Sequence, residues 1–226
     1  MTLEIALLVL ESLLLGFTIV LLVMSLKEGR SRDSLILEVS KATRVLTRHE
    51  YFLTVMDTMM EAKREIIGSI TGRMPQGDDV NRSKQLVYDI EKMVQAGVKV
   101  KYLMPKFQDR LYIGWLYSQA GAEVYYSSCP HVHDFRYTIV DAKVCLIGVP
   151  EHVGEKEATK KGYRIPSEGL AEILRTSFTS CLGDSVTFEQ FIRETLKQTG
   201  AEPKVLSREL NIPEPELLKI TNSTKA

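Results

Sequence analysis

Charged side chains at regular places interrupt an apolar run in the middle of the chain. Asp134 and Arg136 stand two residues apart, Asp141 follows, and Gly148 comes seven residues after it. The guanidinium group of Arg136 presents a planar fork of N–H donors that fits a phosphate or a carboxylate. The pattern therefore indicates an anion site at Arg136. The alternative is an internal ion pair, in which Arg136 holds the strand through Asp134 or Asp141.

The segment DFRYTIVDAKVCLIGV, residues 134–149, resembles the active-site strand of the phospholipase D superfamily. That family carries the motif H-x-K-x4-D, which is followed after six residues by Gly-Ser. In the frame anchored on Asp141 and Gly148, Asp134 stands at the histidine position, Arg136 at the lysine position and Val149 at the serine position. The resemblance implies a kept scaffold, in which Asp134, Arg136, Asp141 and Gly148 bind the ligand, and a lost nucleophile.

The chemistry of the family makes this substitution decisive. One histidine attacks phosphorus and a second protonates the leaving oxygen, whereas the carboxylate of Asp134 would repel a phosphodiester. His131 and His133 are the alternative catalytic residues, but no shift of register restores the motif, because the lysine position then holds His133 or Phe135. We therefore expect a site that is not catalytic, with a residual phosphodiesterase using these histidines as the alternative.

The order of predicted elements around this strand also resembles a phospholipase D-like domain. Hydrophobic periodicity and turn residues predict strands and helices over residues 49–185, with a hairpin at residues 141–143. The predicted strands are 64–70, 98–105, 122–127, the two arms of the hairpin and KGYRI, and the predicted helices are 79–97, 109–120 and 167–181. The fold class that follows is α/β, a mixed sheet flanked by helices. Active members need two motifs, so a single degenerate copy leaves a homodimer as the expected packing.

The loop GSITGRMPQG, residues 68–77, follows the first predicted strand. It contains no G-K-[ST] and does not space its glycines as a dinucleotide-binding turn does. Loops at strand ends line ligand pockets in open α/β sheets. We therefore expect Arg73 to join Arg136 at one anion site, without a cofactor or a metal.

Residues 5–24 form an apolar run of 20 residues whose one charge is Glu11. A helix of this length covers a bilayer core of about 30 Å, and the run is longer than the usual signal-peptide core and lacks a basic region before it. The sequence thus predicts one transmembrane helix before the α/β domain. Lys27, Arg30 and Arg32 follow the run, which places the soluble part in the cytoplasm.

Composition and cysteine spacing set the remaining bounds. The 226 residues are 44% hydrophobic and 26% charged with zero formal net charge, which excludes wholesale disorder and any global attraction to nucleic acid. Cys129, Cys145 and Cys181 are odd in number and irregularly spaced. They are expected to be reduced, buried thiols.

Two helical segments flank the domain. Residues 33–63 have helical periodicity and predict a stalk helix, on which Lys41, Arg44 and Arg48 either face solvent or contact anionic head groups. In the tail, TFEQ predicts a capping box, and KVLSRELNIPEPELLKI predicts two short helices around Asn211 with a small core of their own. The predicted divisions are an anchor at 1–26, a stalk at 27–48, the domain at 49–185 and a helix-turn-helix-like tail at 186–226.

The functional hypothesis combines these observations. It is a membrane-anchored, non-catalytic phospholipase D-like module at the cell membrane, which binds a phospholipid head group, another anion or a protein partner. A partner of the C-terminal helices or a second copy of the chain is also expected, and nucleic acid is disfavoured because acids balance bases in the tail. The alternatives are the residual phosphodiesterase and a membrane-tethered helix-turn-helix regulator.

Overall fold

The computed structural model describes residues 17, 18, 20, 24, 25, 43–75, 77, 79–150 and 159–222. The chain divides into two compact units, Met1–Ala42 and Thr43–Ala226. All of the strands and helices given below belong to the second unit. Its strands are β1 (Arg44–Thr47), β2 (Glu65–Ser69), β3 (Lys99–Pro105), β4 (Glu123–Ser127), β5 (Arg136–Val140), β6 (Val144–Pro150), β7 (Thr159–Pro166) and β8 (Val186–Thr187).

Helices connect and cover these strands. A short 3-10 helix, Gln108–Arg110, precedes the third α-helix. The α-helices are α1 (Arg48–Met60), α2 (Asp79–Gln95), α3 (Leu111–Gln119), α4 (Pro130–Asp134), α5 (Glu168–Gly183), α6 (Phe188–Thr199), α7 (Pro203–Leu210) and α8 (Glu214–Asn222).

One mixed sheet of eight strands forms the centre of this unit, in the order β1-β7-β6-β5-β2-β3-β4-β8. β2, β3 and β4 are parallel to one another, and the remaining pairs are antiparallel. The parallel strands are connected through helices and the β5–β6 pair through a tight turn, as the two kinds of pairing require. The predicted mixed α/β sheet flanked by helices is thus present.

Side chains alternate between the two faces of the sheet. On one face lie Arg136 and Thr138 of β5. On the other, the Tyr137 hydroxyl donates to the Leu174 carbonyl oxygen of α5 at 3.2 Å. α5 therefore covers the second face, and the first packs against a large cluster of buried residues that includes side chains of α1, α2, α3, α6, α7 and α8.

The predicted transmembrane helix is wrong for the residues that the structure describes. Among the residues that the structure describes, no helix is long and apolar enough to cross a membrane. Most of the predicted span, residues 5–24, lies outside the described residues. The apolar run is long enough for a membrane span, but its length and composition alone do not determine that it forms one helix. The cytoplasmic placement of the α/β domain, which depended on this helix, stays a prediction.

The stalk helix is also corrected where the chain is described. Residues 44–47 form strand β1, which pairs antiparallel with β7, and the helix begins only at Arg48. Thr47 is its N-cap, and a reciprocal capping box joins Thr47 to Glu50. The helical spacing of apolar residues therefore continued through residues that form a strand. Pairing with β7 gives the backbone N–H and C=O groups of these residues hydrogen-bond partners. Residues 27–42 of the predicted stalk lie outside the described residues.

The cysteines differ from the expectation of reduced thiols. Cys129 and Cys181 form a disulfide with their Cα atoms 5.6 Å apart, and Cys145 is a buried free thiol. The bond joins the start of α4 to α5 across a sequence separation of 52 residues. Spacing along the chain does not reveal such a pair, because only the packing of α5 brings the two residues together.

The tail helices are present, but they do not have a separate small core. Thr187 forms the predicted capping box with Gln190, and Asn211 ends α7 in the left-handed conformation. Leu206, Ile212 and Leu217 are buried in the same cluster as the sheet residues. The tail is therefore packed on the α/β unit, whereas its proposed division at residue 186 is not tested.

Candidate functional site

A cavity of about 390 Å³ lies on the α1 face of the sheet. Its walls are the end of β2 with the loop that follows, the start of β5, the first turns of α1 and α2, and α3. The carboxyl end of the parallel strand β2 opens into it, which is the usual place for a ligand in an open α/β sheet. Its volume lies within the range of about 300–1,000 Å³ that is typical of small-molecule sites.

Four arginines line this cavity, and each comes from a different element. Arg136 is the first residue of β5 and is only 8% exposed, whereas Arg73 lies on the exposed loop after β2. Arg48 is the first residue of α1, and Arg82 belongs to the first turns of α2. Among the described residues that line the cavity there is no aspartate or glutamate. The described lining is therefore cationic.

The backbone positions Arg136 and Arg73 toward the same space. Arg136 pairs with Gly148 of β6, and the next strand places Gly162 opposite Gly148. The loop before Arg73 turns at Gly72, whose φ of +62° favours glycine over residues with a Cβ. The structure thus brings the two arginines that the sequence assigned to one site to the same cavity.

Tyr51 of α1 closes the cavity from the helix side. Its side chain is buried above Gly162, where a Cβ would stand 2.1 Å from its Cδ2 atom. Burial raises the pKa of the Tyr51 hydroxyl, although the charge of nearby Arg136 acts in the opposite direction. The tyrosine is therefore neutral at physiological pH and does not cancel the charge of the arginines.

The remaining lining is largely apolar or carries hydroxyl groups. Thr138 lies on the same face of β5 as Arg136 and supplies a hydroxyl. Ser69 also lines the cavity, but strand alternation places its side chain on the α5 face. The apolar and aromatic lining residues whose side chains are not on the α5 face are Tyr51, Phe52, Val55, Met56, Ile70, Met74, Pro75, Leu86, Ile113 and Tyr117. The cavity thus combines a cationic part with an apolar part.

One histidine that the sequence analysis did not select contacts this site. Nδ1 of His49 lies 2.9 Å from a terminal nitrogen of Arg82. Because an arginine only donates, Nδ1 accepts this hydrogen bond and the proton of the neutral ring is on Nε2. In that tautomer neither nitrogen has a free lone pair for attack on phosphorus.

The other predicted site residues do not line the cavity. Asp134, His131 and His133 are exposed on α4, and the His133 ring packs edge-on against Phe107 with centroids 5.1 Å apart. Gly148 supports Arg136 only as its strand partner. The ligand-binding role predicted for Asp134 and Gly148, and the alternative catalytic role of His131 and His133, therefore have no support from this cavity and stay predictions.

Asp141 has a structural role at the far end of β5. Its carboxylate accepts hydrogen bonds from the backbone N–H groups of Lys63 at 2.8 Å, Arg64 at 2.8 Å and Glu65 at 3.0 Å. Burial alone would raise the pKa of Asp141, but these donors and the Arg64 charge together hold it below its ordinary value. Asp141 joins the hairpin to the start of β2 and does not contact the cavity.

Sequence reasoning missed two of the four arginines. Arg48 was assigned to a solvated or lipid-facing side of a stalk helix, and Arg82 was read only as part of an amphipathic helix. Both Arg48 and Arg82 lie near the start of a helix that follows a strand or a loop. That position could have indicated that they reach a site at the end of the sheet. Among the described residues, no group of three or more His, Cys, Asp or Glu side chains is placed to hold a metal ion.

Comparisons with known proteins show the fold. No protein-family model matches the chain, and no curated protein matches it. The structure of NucT from Helicobacter pylori is similar at 10% identity, covering 64% of this chain and 98% of that chain with a TM-score of 0.50. Nuc, a phospholipase D family member from Salmonella typhimurium, is similar at 16% identity, covering 65% and 97% with a TM-score of 0.49.

A third similar structure is TrmBL2, described as an archaeal chromatin protein with a novel mode of DNA binding. It is 17% identical over 72% of this chain, with a TM-score of 0.48, and this chain spans 62% of its length. At such identities the similarity is one of fold alone. The chain shares the fold of NucT, and the resemblance of residues 134–149 to the phospholipase D motif stays a prediction.

Proposed function

We propose that this protein is a phospholipase D-like binding module that recognises an anionic phosphate ester in the arginine-lined cavity and does not hydrolyse it. One observation carries the proposal: four arginines from four elements line one cavity, and no aspartate or glutamate is among its described lining residues. Each arginine has five N–H donors, so it can contact a ligand while it keeps its contacts within the protein. The apolar part of the lining fits the organic group of such an ester.

Burial of Arg136 strengthens this reading. Arg136 as a whole residue is 8% exposed, and a charge in such a buried position is costly to desolvate. An anionic ligand would add charge-assisted hydrogen bonds to the contacts that Arg136 makes within the protein, and each contributes about 1.5–3 kcal/mol. The internal ion pair with Asp141 is disfavoured, because Asp141 lies at the other end of β5 and accepts three backbone hydrogen bonds there.

The proposal that the site is non-catalytic rests on the lack of a histidine among the described residues that line the cavity. Asp134 stands at the position of the family's histidine, His131 and His133 lie outside the cavity, and His49 accepts from Arg82 through Nδ1. Among the described residues, no histidine is therefore placed to act as a nucleophile toward a phosphate in the cavity. The lipid, homodimer and tail-partner hypotheses, and the prediction that nucleic acid is not bound, stay predictions.

Removal of a cavity arginine is expected to weaken ligand binding. We expect Arg73→Met and Arg136→Met to raise the Kd for phenyl phosphate by about 10- to 150-fold, because each loses one charge-assisted contact. Calorimetric titration of the full chain measures the change. Arg208→Met, which removes an exposed arginine of α7 outside the cavity, is the matched control and should leave the Kd unchanged.

The same variants separate a soluble ligand from a lipid. Sedimentation with phosphatidylcholine vesicles, with and without phosphatidylglycerol or phosphatidic acid, tests the head-group source. Binding to anionic vesicles that Arg73→Met weakens would assign the cavity to a head group, whereas binding of phenyl phosphate alone would assign it to a soluble ester. Equal affinity of the wild type and both cavity variants for every probe would refute the proposal.

Hydrolysis is expected to be absent. With bis(p-nitrophenyl) phosphate as the substrate, the rate of p-nitrophenol release by the full chain should equal that of the His131→Ala/His133→Ala variant and of buffer. The physical reason is that neither ring lines the cavity. A rate above buffer that disappears in the double variant would replace this proposal with the residual phosphodiesterase.

A further inference from the structure

We infer that His49 is a positioning residue of the cavity: its Nδ1 atom accepts a hydrogen bond from Arg82 and holds that arginine at the cavity without placing a negative charge there. The inference rests on the proposed function and adds a residue to it, because His49 is not among the described residues that line the cavity. It concerns this one arginine and makes no use of the other three.

The contact joins the starts of two helices. His49 is the second residue of α1, and Arg82 belongs to the first turns of α2, 33 residues further along the chain. The 2.9 Å hydrogen bond fixes one terminal nitrogen of the half-buried Arg82 side chain relative to the start of α1. Arg82 also makes a further contact within the protein. The inference therefore depends on this hydrogen bond and not on the state of the remaining donors.

A capping box supports the first turn of α1 on both sides of His49. One carboxylate oxygen of Glu50 accepts from the backbone N–H of Thr47 at 2.9 Å and from its hydroxyl at 2.8 Å. In return, the Thr47 hydroxyl accepts from the backbone N–H of Glu50 at 3.4 Å. The hydrogen bonds from the backbone and the side chain of Thr47 hold the pKa of Glu50 below its ordinary value. His49 thus lies on a fixed turn, beside a carboxylate that Thr47 engages.

The chemical type of the acceptor is the reason to assign His49 a role in binding. A carboxylate at this place would hold Arg82 equally well, but it would cancel the charge that an anion needs. The nitrogen of a neutral imidazole accepts a hydrogen bond and adds no negative charge. A ligand that meets a long side chain already in place also avoids the cost of ordering it, which is about 2- to 12-fold in affinity.

Two substitutions separate the acceptor from the ring. His49→Phe keeps a ring and removes the acceptor, whereas His49→Asn keeps an uncharged acceptor close to the position of Nδ1. His, Phe and Asn have similar helix propensities, so both variants are expected to fold. Calorimetric titration of the full chain with phenyl phosphate at pH 8, where imidazole is ordinarily neutral, should give a Kd about 2- to 12-fold higher for His49→Phe. The Kd of His49→Asn should stay within about twofold of the wild type.

A third substitution separates binding from stability. His49→Glu places a carboxylate in the first turn of α1, where a negative charge favours the helix, and within reach of Arg82. The free energy of unfolding in urea should be unchanged or higher. The Kd for phenyl phosphate should nevertheless rise by at least about tenfold, because the carboxylate cancels the charge of Arg82 and repels the phosphate. A contact with a structural role alone predicts that His49→Glu binds like the wild type.

A double variant tests whether His49 acts through Arg82. Once Arg82→Met has removed the guanidinium group, adding His49→Phe should raise the Kd no further. Additive effects would refute the inference, as would an unchanged Kd in His49→Phe or a His49→Asn variant that binds as weakly as His49→Phe. If the Kd still rises in Arg136→Met, those outcomes leave the anion-binding function in place. Failure of phenyl phosphate to bind the wild type at millimolar concentration would overturn both proposals.

Discussion

Gly162→Ala is expected to lower the free energy of unfolding by about 2–3 kcal/mol, which is the upper part of the range for overpacking a core. A Cβ at position 162 would lie 2.1 Å from Cδ2, 2.5 Å from Cγ and 2.8 Å from Cβ of Tyr51. Rotation of the ring cannot relieve the contact with Cβ, so helix α1 must move away from β7. Because Tyr51 and Arg48 line the cavity from α1, the affinity for phenyl phosphate should fall in the same variant.

Urea unfolding followed by circular dichroism measures this effect. Gly183→Ala is the matched control, because nothing lies within 4 Å of a Cβ there and Gly183 ends helix α5. It should leave stability unchanged or raise it by up to about 1 kcal/mol, since alanine favours helix. Adding Tyr51→Ala to Gly162→Ala should cost less than the two single changes combined. A strictly additive double variant would contradict the steric explanation.

Asp141→Asn is expected to cost about 1–3 kcal/mol of stability at neutral pH, because one carboxylate that accepts three backbone hydrogen bonds loses its charge and one acceptor oxygen. Asn is the suitable replacement, since Asp141 has a φ of +52° and Asn tolerates the left-handed region. The main-chain carbonyl that accepts from the Arg64 side chain is kept. The loss therefore measures the carboxylate and not the turn.

The pH dependence of this difference follows from the sign of the shift. The pKa of Asp141 is lower in the folded protein than its ordinary value of 3.8. Its contribution is therefore complete above the unfolded pKa and is lost as the pH falls through the folded pKa. The difference between wild type and Asp141→Asn should be constant from pH 7 to about pH 5 and then shrink below pH 3.8. A difference that does not shrink at all below pH 3.8 would show that the charge is not involved.

Local patterns predicted most elements of the α/β unit. The helix expected at residues 79–97 is Asp79–Gln95, and the strand expected at 98–105 is Lys99–Pro105. The capping box at Thr187 and the hairpin between β5 and β6 also lie where the sequence placed them. These features depend on neighbours within a few residues, so a single sequence contains their cause.

Features that depend on distant partners were harder to predict. β1 is a strand only because β7 pairs with it, and Cys129 meets Cys181 only because α5 packs near the start of α4. The transmembrane helix was predicted from the composition of one run, and the described residues do not contain such a helix. Composition and residue spacing do not indicate which strands pair or which helices pack together in the folded chain.

The sequence by itself determined the spacing of Asp134, Arg136, Asp141 and Gly148, which resembles a phospholipase D motif with no histidine at its first position. The tertiary structure decided which residues share a site with Arg136. Asp141 is five residues from Arg136, yet a strand rising about 3.3 Å per residue puts them at opposite ends of β5. Arg48 and Arg82 are far away in sequence, yet the two helix starts meet the same strand end. Because a strand is extended, residues that are close in sequence lie far apart along it. The packing of helices on the sheet brings residues that are distant in sequence to one site.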